Sequence, residues 1–593
     1  MTEDLQTRVA AWLAEDPDDR DVAELTALSR DDSQQARAEL ADRFAGRLEF
    51  GTAGLRGRVG AGPGRMNRAV VRATTAALAG WLLASGDGTR PAAVAAADEP
   101  AGAGQADAAP VAGAGAGGRV AQAGVVIGCD ARHRSDEFAA EAAGVLAAAG
   151  IRVHLLPPRQ PTPLLAFAVR HLSAAAGIMI TASHNPPADN GYKLYLGDGA
   201  QIIPPADAEI EAAIGALGPL SAIRVAPPDS PLIIRHGGEV ASAYLNAVCA
   251  ASPAPPGAAW LRFVYTPLHG VAGGLALRAF EQAGFPAPDI VAAQAEPDPD
   301  FPTVAYPNPE EPGTLDIALA QARRSDADLL IASDPDGDRL AAAVPDPKAD
   351  GGWRVLTGDQ VGALLGAYLL GRPARGTDPA SRLVATTVVS STLLSRIAAA
   401  AGAQYAETLT GFKWIVRAAE RRPGASFAFG YEEALGYAVG DIVRDKDGIG
   451  AALALLGLAV LARSGGESLL DAYDALEAAH GVHLTSQLTA ATSAPLEVMA
   501  RLRASRQDRL GDEPVTSVTD LTGGTAELPS ADVLSYRLRG GRVVVRPSGT
   551  EPKIKAYLEV VEPVLGGRLD AARLAAQARM DPLRDAVRQL LGS

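Results

Sequence analysis

The sequence predicts an α/β protein of three tandem, similar α/β domains with mainly parallel sheets, plus a smaller C-terminal α+β domain, four domains around a central cleft. Its 593 residues allow about four domains. A strand–helix–strand order also recurs three times, starting from short apolar segments at residues 124–129, 261–265 and 382–389. Strands separated by helices of this length indicate βαβ units and parallel sheets.

The predicted elements give limits for each part of the chain. An amphipathic N-terminal helical arm is expected at residues 1–45, followed by domains at 46–225, 226–350, 351–465 and 466–593. Within the first domain, residues 86–122 are rich in Ala, Gly and Pro without periodicity, which predicts a flexible insertion. In the last domain, strand-like segments at 542–545 and 553–561 lie between helical stretches, which predicts an antiparallel sheet.

Composition restricts the class of protein. A net charge of -15 argues against a nucleic-acid binder but still allows a local basic pocket for a small anion. Two cysteines, Cys129 and Cys249, are too few for a disulfide framework. The N-terminus lacks a signal-peptide pattern, and the longest apolar run, 449–462, is shorter than the roughly 20 residues of a membrane span. We therefore expect a cytoplasmic protein that binds neither nucleic acid nor membrane, and no interface between copies is readable.

The strongest chemical signal is the segment DPDGDR at 334–339, which follows an apolar strand. Residues two apart point the same way in extended backbone, so Asp334, Asp336 and Asp338 can converge. Close carboxylates repel each other unless a cation lies among them, and Mg²⁺ prefers such oxygen ligands. A calcium EF-hand is excluded because its sixth and twelfth positions are Arg339 and Pro345 here. The remaining alternative is a solvated acidic turn.

A possible nucleophile lies in the segment TASHNP at 181–186, after the apolar strand 177–180. Small neighbours predict that the Ser183 hydroxyl is exposed at the strand end, as a nucleophile requires. His184 invites a hydrolase interpretation, but adjacent residues of an extended strand point to opposite sides, which would place His184 poorly for deprotonating Ser183. A Gly-x-Ser-x-Gly elbow is also missing. A polar turn is the alternative.

The segment RPSGTEPK at 546–553 has the composition of a phosphate-binding turn. Arg546 offers a fork-shaped cation, and a tight turn of Ser548, Gly549 and Thr550 can present N–H groups and hydroxyls to a dianion. It is not a Walker loop, and an ordinary hairpin turn is equally compatible.

Three further signals are weaker. The segment GYEEALGY at 430–437 offers carboxylates as acceptors for sugar hydroxyls, although paired glutamates usually lie on a solvated face. A lone histidine after a strand, such as His269, is more often structural, and Lys413 is a similarly faint candidate. The segments at 181–186, 334–339, 430–437 and 546–553 fall in four different predicted domains. A site between domains for a phosphorylated, hydroxyl-rich substrate would require this arrangement.

In combination these segments resemble the α-D-phosphohexomutase superfamily of phosphoglucomutases and phosphomannomutases. The resemblance runs from about Phe50 to Glu559 and is most specific in TASHNP and DPDGDR. The segments FGTAGLRG at 50–57, GFKW at 411–414 and GYEEALGY resemble the branch that also holds phosphopentomutase-type enzymes. The resemblance implies a mutase that interconverts sugar 1-phosphate and sugar 6-phosphate through a phosphoserine, with a sugar 1,6-bisphosphate as intermediate and activator.

The resemblance also implies a role for each matched residue. Ser183 is the expected phosphoserine and, with Asp334, Asp336 and Asp338, a ligand of one Mg²⁺ ion. The remaining candidates fall into three groups: catalytic residues Arg56, Lys193 and the neighbouring His184; substrate-binding residues Arg339, Thr410, Gly411, Glu432 and Lys446; and phosphate-binding residues Arg546, Ser548, Gly549 and Thr550.

One departure from the family pattern leaves the sugar open. Many hexose-specific members have a serine two residues after the glutamate, where this chain has Ala434. The substrate can therefore be a glucose, mannose or pentose phosphate. Other functions to test are phosphopentomutase, sugar-bisphosphate synthase, phosphomonoesterase and a non-catalytic phosphosugar sensor.

Overall fold

The residues described by the computed structural model, 3–51, 54–85, 116–372, 378–505, 507–548 and 553–592, form four β-sheets in chain order. Three sheets combine parallel strands with antiparallel strands toward an edge, and the fourth is antiparallel throughout. We call the parts of the chain that carry these sheets the first to fourth domains. The predicted fold class is thus confirmed.

Three helices precede the first sheet. They are α1 (Glu3–Glu15), α2 (Asp19–Arg30) and α3 (Gln34–Arg43). The side chains of Asp18 and Ser33 accept hydrogen bonds from backbone N–H groups at the starts of α2 and α3, which satisfies donors that a helix leaves free. Leu25, Leu40 and Phe44 bury the apolar faces of these helices in a small core.

The first domain has a six-stranded sheet of order β1-β5-β4-β2-β3-β6. Its elements are β1 (Leu55–Arg58), α4 (Arg68–Ser85), α5 (Ala116–Ala123), β2 (Val125–Cys129), α6 (Ser135–Ala148), β3 (Val153–Leu155), α7 (Thr162–His171), β4 (Ala176–Ile180), β5 (Asp189–Leu196), α8 (Ala206–Gly215) and β6 (Ile233–Arg235). Every residue of the parallel neighbours β2 and β4 is buried, as expected for strands covered on both faces.

Helix α5 contradicts part of the predicted insertion. Residues 116–122 are helical, so the prediction of a non-periodic segment is wrong for this end of 86–122. Val120 is 2% exposed, and its burial against the first core explains the helix. The rest of the predicted insertion, residues 86–115, lies outside the described residues.

The second domain has a five-stranded sheet of order β11-β10-β9-β7-β8, and the third a four-stranded sheet of order β13-β12-β14-β15. The second contains α9 (Glu239–Ala251), β7 (Phe263–Thr266), α10 (Gly273–Ala283), β8 (Asp289–Ile290), α11 (Asp316–Arg324), β9 (Leu329–Ser333), β10 (Leu340–Pro345) and β11 (Trp353–Val355). The third contains α12 (Gly358–Gly371), β12 (Arg382–Thr387), α13 (Leu393–Ala400), β13 (Gln404–Thr408), α14 (Phe412–Ile415), β14 (Ser426–Glu432), β15 (Gly436–Val439), α15 (Gly448–Ser464) and α16 (Leu469–His480).

One apolar core runs through these three domains. It joins Tyr195 of β5, Tyr265 of β7 and Phe429 of β14 without interruption. Helix α15 is buried on nearly all sides, which is typical of a helix inside a core. Among the described helices, none alone is long and apolar enough to cross a membrane; α15 and α16 pass that test only together, with a bend of 89° between them.

The fourth domain has a separate core. Its six strands have the order β16-β21-β20-β19-β18-β17, and all neighbours run antiparallel. The elements are β16 (Val482–Ala491), α17 (Pro495–Ala504), β17 (Arg509–Leu510), β18 (Glu513–Asp520), β19 (Leu534–Leu538), β20 (Gly541–Pro547), β21 (Lys553–Glu562) and α18 (Leu569–Leu591). Helix α18 covers one face of the sheet, where Met580, Leu583 and Val587 meet Val543 and Leu558.

Candidate active site

Two loops at the carboxyl ends of parallel strands meet between the first and second domains. Ser183 lies just after β4, and Asp334 directly follows β9. Such strand ends are the usual ligand-binding edges of open α/β sheets. The Ser183 hydroxyl donates to Asp334 Oδ2 over 2.9 Å, so the two sequence signals form one site.

The surroundings of Ser183 differ from expectation in two ways. The residue is 2% exposed, so the prediction of an exposed hydroxyl is wrong. Its φ of +54° is left-handed, which removes the alternation of an extended strand and brings His184 Nδ1 to 3.1 Å from the hydroxyl. The prediction that His184 points away is therefore also wrong. Burial, together with the charges of Arg339 and Arg56, lowers the pKa of His184 well below its ordinary value, so this imidazole is neutral at pH 7.

The three aspartates converge as the sequence predicts. Asp334, Asp336 and Asp338 are fully buried, and one oxygen of each lies within 4.8 Å of the others. Burial and the two neighbouring carboxylates raise the pKa of Asp334 well above its ordinary value. Burial would also raise the pKa of Asp336, but the ammonium of Lys193 outweighs that effect and lowers it.

This cluster fits a metal ion. Asp336 Oδ1 and Asp338 Oδ1 are buried, and neither has a hydrogen-bond partner within the described part of the chain. Leaving a buried carboxylate oxygen unpaired is costly, and a bound cation would satisfy both oxygens. Gly337 allows the turn between them, since its φ is +72° and an added Cβ would lie 2.7 Å from the Cβ of Ala272.

Basic side chains surround the acidic cluster. Lys193 of β5 donates to Asp336 Oδ2 over 2.6 Å and to Asp338 Oδ2 over 3.0 Å. Burial would lower the pKa of Lys193, but Asp336 and Asp338 raise it, so its ammonium stays charged. Lys446 Nζ lies 3.3 Å from Asp338 Oδ2. This charge distribution suits a phosphoryl group bound beside the carboxylates.

Two arginines complete the basic rim. Arg56 of β1 donates to Asn185 Oδ1 over 3.4 Å, beside the serine loop. The backbone N–H of Arg339 donates to Asp334 Oδ1 over 3.0 Å, and its guanidinium donates to Glu310 over 3.2 Å. Arg56 and Arg339 thus flank the serine and aspartate loops.

The third domain brings the predicted sugar-binding loop to the same place. The backbone N–H of Leu340 donates to the carbonyl of Leu435 over 3.1 Å, and Arg339 forms a β-bridge with Gly436. Glu432 accepts from the N–H of Gly411 over 2.7 Å, which joins the loop of Thr410 and Gly411 to the glutamate.

Glu433, next to Glu432, faces inward as well. Its Oε2 accepts from Ser390 over 3.1 Å and from Thr387 over 3.4 Å. Burial, with the nearby charges of Glu432 and Asp359, raises the pKa of Glu433 to about 7. The paired glutamates therefore do not lie on a freely solvated face.

The fourth domain contributes the β20–β21 hairpin. Arg546 is near the end of β20, and the N–H of Ser548 donates to the carbonyl of Lys553 over 2.8 Å across the hairpin. Lys555 of β21 interacts electrostatically with Glu433 and Glu310, so this hairpin faces the loops of the second and third domains. Gly549 and Thr550 lie outside the described residues.

Four family models match the chain in this same order. Three describe the phosphoglucomutase/phosphomannomutase alpha/beta/alpha domains I, II and III, at residues 99–218, 242–349 and 357–479, and the fourth describes the C-terminal domain, at 496–576. The chain belongs to the phosphoglucomutase/phosphomannomutase family. The resemblance found in the sequence is thus confirmed.

Relatives within this family are named for different sugar phosphates. A Haemophilus influenzae protein named probable phosphomannomutase is 40% identical over 73% of this chain and 87% of its own length. Human phosphopentomutase is 33% identical over 94% of this chain and 92% of its own length, and a Staphylococcus epidermidis phosphoglucomutase is 34% identical over 86% and 90%. A family protein of Burkholderia thailandensis has the same fold, with a TM-score of 0.64 at 22% identity over 90% of this chain and 96% of that one.

Sequence reasoning missed a clamp in this phosphoglucomutase/phosphomannomutase family member. Arg132, which is 4% exposed, donates to the carbonyls of Ser183 over 2.6 Å and Pro186 over 2.8 Å. It thereby holds both ends of the serine loop. The available signal was its position just after β2, which neighbours β4 in the sheet.

Thr162 and His269 form two further polar contacts. Thr162, at the start of α7, donates to Asp336 Oδ2 over 2.6 Å and was not expected from the sequence. His269 Nε2 lies 2.8 Å from the Thr303 hydroxyl, a contact that fits a structural role.

Proposed function

We propose that this protein is a phosphosugar mutase that interconverts a sugar 1-phosphate and a sugar 6-phosphate through phosphorylated Ser183 and a sugar bisphosphate. The observation that carries this proposal is the 2.9 Å contact between the Ser183 hydroxyl and Asp334 in a buried acidic cluster. A phosphoryl group on Ser183 would lie beside the basic rim of Arg56, Lys193 and Arg339.

Asp334, Asp336 and Asp338 are the residues that would hold one Mg²⁺ ion, together with an oxygen of phosphorylated Ser183. When bound, the ion supplies positive charge that offsets the negative charge of a transferring phosphoryl group. Lys193 and Arg56 would add hydrogen bonds to the equatorial oxygens of that group, because loose phosphoryl transfer spreads charge over them.

The reaction consists of two phosphoryl transfers. In the first, the bond between Ser183 Oγ and phosphorus breaks and a new bond forms between phosphorus and the oxygen of a free sugar hydroxyl. The hydroxyl proton passes to a protein base, for which the neutral imidazole of His184 is the candidate, and Ser183 Oγ takes up a proton, for which the ammonium of Lys193 is the candidate donor. The bisphosphate then turns over, and its other phosphoryl group returns to Ser183. Because the proton and the phosphoryl group are both returned, the net reaction is an isomerisation.

The other loops would bind the sugar in both orientations. Glu432 is placed to accept hydrogen bonds from sugar hydroxyls, beside Thr410, Gly411 and Lys446. The phosphate that does not react would bind to Arg546 and Ser548, with Gly549 and Thr550 of the same segment. The substrate is therefore a small phosphosugar, and the buried thiols of Cys129 and Cys249 are compatible with a reducing compartment such as the cytoplasm.

A pentose phosphate is the second candidate substrate. Ala434 lacks the hydroxyl found in many hexose-specific members, and relatives named phosphopentomutase or phosphoribomutase match 89% to 94% of this chain. A pentose also has two positions that can carry a phosphate, one to react at Ser183 and the other to bind at the Arg546 loop. The corresponding reaction is the interconversion of ribose 1-phosphate and ribose 5-phosphate.

A coupled assay with Mg²⁺ and a trace of glucose 1,6-bisphosphate tests the proposal. The 1-phosphates of glucose, mannose and ribose are offered in turn to the wild type and to Ser183→Ala. Ser325→Ala is the matched control, since among the described residues this hydroxyl bonds only the carbonyl of Gln321 in the preceding helix turn. We expect conversion by the wild type and the control and none by Ser183→Ala, and the fastest sugar identifies the substrate.

Three other outcomes would replace the mutase proposal. Release of inorganic phosphate without isomer formation would indicate a phosphomonoesterase. Net accumulation of a bisphosphate from a second phosphoryl donor would indicate a bisphosphate synthase. Failure of Ser183 to become phosphorylated, with retained binding of phosphosugars, would indicate a sensor.

A further inference from the structure

A polar cavity separate from the candidate active site lies where the third and fourth domains meet. Its volume is about 750 Å³, within the range of small-molecule sites. Arg396 of α13 lies on the wall from the third domain, whereas Arg537 and Arg539, in and just after β19, lie on the wall from the fourth. None of its lining residues belongs to the loops of the candidate active site.

Some arginines of this cavity are paired with carboxylates and others are not. Five arginines and four carboxylates line it. Arg579 donates to Glu513 and to Glu562, each over 2.7 Å, so both carboxylates are hydrogen-bonded within the fourth domain, although one guanidinium offsets only one of their two charges. Glu559 accepts from the N–H of Thr392 over 2.7 Å and pairs with Arg542.

Three arginines remain after these pairs. Within the described ranges, the guanidinium groups of Arg396, Arg537 and Arg539 have no hydrogen bond or ion pair, and all three side chains are exposed. Two negative charges are left to offset them, that of Asp512 and one from the two carboxylates at Arg579, so the lining keeps a net positive charge. A guanidinium binds phosphate through two parallel hydrogen bonds, so three such forks in one cavity favour a phosphorylated ligand.

We propose that this cavity binds a small phosphorylated metabolite with at least two anionic groups, one at Arg396 and the other at Arg537 and Arg539. The ligand thereby joins the third domain to the fourth. Sugar bisphosphates, nucleotides and pyrophosphate share this chemistry.

The position of the cavity gives the ligand a route to the active site. Arg542 lies near the start of β20 and Arg546 near its end, so the cavity and the phosphate-binding turn occupy opposite ends of the β20–β21 hairpin. Four strand residues span roughly 13 Å. A small rotation of the fourth domain at the cavity therefore displaces Arg546. A ligand that contacts both walls stabilises one orientation and shifts the population toward it.

The test counts binding sites for inorganic pyrophosphate on the full-length protein in magnesium-free buffer by titration calorimetry. The variant Arg396→Gln/Arg537→Gln/Arg539→Gln is compared with Arg30→Gln/Arg278→Gln/Arg324→Gln, which removes the same charge from exposed arginines elsewhere. We expect the wild type and the control to bind one more pyrophosphate than the cavity variant, in addition to any pyrophosphate bound at the active site. The cavity variant should keep the active-site binding and the basal mutase activity.

Hydrogen exchange provides the second readout. Pyrophosphate should slow exchange of α13 and β19 in the wild type and the control but not in the cavity variant. Titrations with glucose 1,6-bisphosphate and ATP then identify the source of the phosphate groups, as the ligand that loses at least tenfold in affinity in the cavity variant. Equal numbers of pyrophosphate sites in the wild type and the cavity variant would overturn the proposal. Arg396→Glu, which changes only the third-domain wall, must give the same loss.

Discussion

The candidate site has a part that would transfer the phosphoryl group and a part that would bind the non-reacting phosphate. These two parts are supported by different apolar cores. The loops of Ser183, Asp334 and Glu432 belong to three domains that share one continuous apolar core. The turn after Arg546 belongs to a domain with its own core. Since protein interiors are close-packed and resist displacement, the first three loops keep fixed mutual positions, while the fourth domain can move as a body.

The contacts between the third and fourth domains support this distinction. One small apolar cluster joins them, formed by Val388, Val389, Leu409, Leu521, Val533, Val544 and Tyr557. Beside it lie polar contacts, including Arg542 with Glu407 over 2.6 Å. A polar junction of this kind can separate and re-form. A mutase must keep its bisphosphate while it turns over and still release product, and a closing fourth domain meets both requirements.

We call the loops of Ser183, Asp334 and Glu432, which belong to the first three domains, the fixed half of the site. Loss of one carboxylate from this half should have the largest effect on mutase activity. Asp336→Asn keeps the shape of the side chain but removes the charge that lies 2.6 Å from Lys193. We expect mutase activity to fall by about 1,000-fold, which corresponds to about 4 kcal/mol in the barrier. Steady-state kinetics with saturating Mg²⁺ measure this change.

Asp346→Asn is the matched control for that substitution. Asp346 is also a buried aspartate of the second domain, but it pairs with Arg354 instead of facing the cluster. Its replacement should leave activity within a few-fold of the wild type. Equal losses in both variants would mean that the effect of Asp336→Asn comes from the folding of the second domain.

The stability of the junction between the third and fourth domains should depend on the carboxylate of Glu559. Burial would raise the pKa of this carboxyl, but the hydrogen bond with His483 and the charge of Arg542 lower it to about 2. Its stabilisation is thus complete above the unfolded pKa of about 4.5 and is lost as the pH falls toward 2. We expect Glu559→Gln to lower the unfolding free energy by about 3 kcal/mol at pH 7.

Hydrogen exchange locates the damage caused by Glu559→Gln. Exchange should accelerate in β21 and at the start of α13, where Thr392 and Ser391 bond the carboxylate. Glu562→Gln, on the same strand, removes a contact with Arg579 inside the fourth domain and serves as the control. Similar acceleration at α13 in both variants would contradict a specific role of Glu559 at the junction.

The sequence was most informative where local geometry decides the structure. The placement of loops after strands, together with three carboxylates in one short segment, predicted the convergence of Asp334, Asp336 and Asp338. The expected extended backbone was wrong, because Pro335 and Asp336 form a turn and Gly337 has a positive φ. The burial of Ser183 could not be predicted, because it depends on a left-handed backbone and on an aspartate of another domain. The clamp by Arg132 also lacked a specific signal, since it binds backbone carbonyls that any residue type provides. Helix α5 was missed because its composition resembles that of a linker.

The smallest expected effect concerns Glu433, where the fixed half meets the fourth domain. Since its pKa is about 7 when folded and about 4.5 when unfolded, the folded protein binds the extra proton between these values. Wild-type stability should therefore fall, relative to Glu433→Gln, as the pH rises from about 5 to 8. The full pKa difference corresponds to about 3 kcal/mol, and we expect about 2 kcal/mol because the residue is only partly buried.

Denaturant unfolding of the wild type and Glu433→Gln at pH 5 and pH 8 measures this difference in stability. Glu281→Gln, at an exposed glutamate, is the control. Parallel pH profiles for the wild type and Glu433→Gln would mean that water reaches this carboxyl and that burial does not raise its pKa.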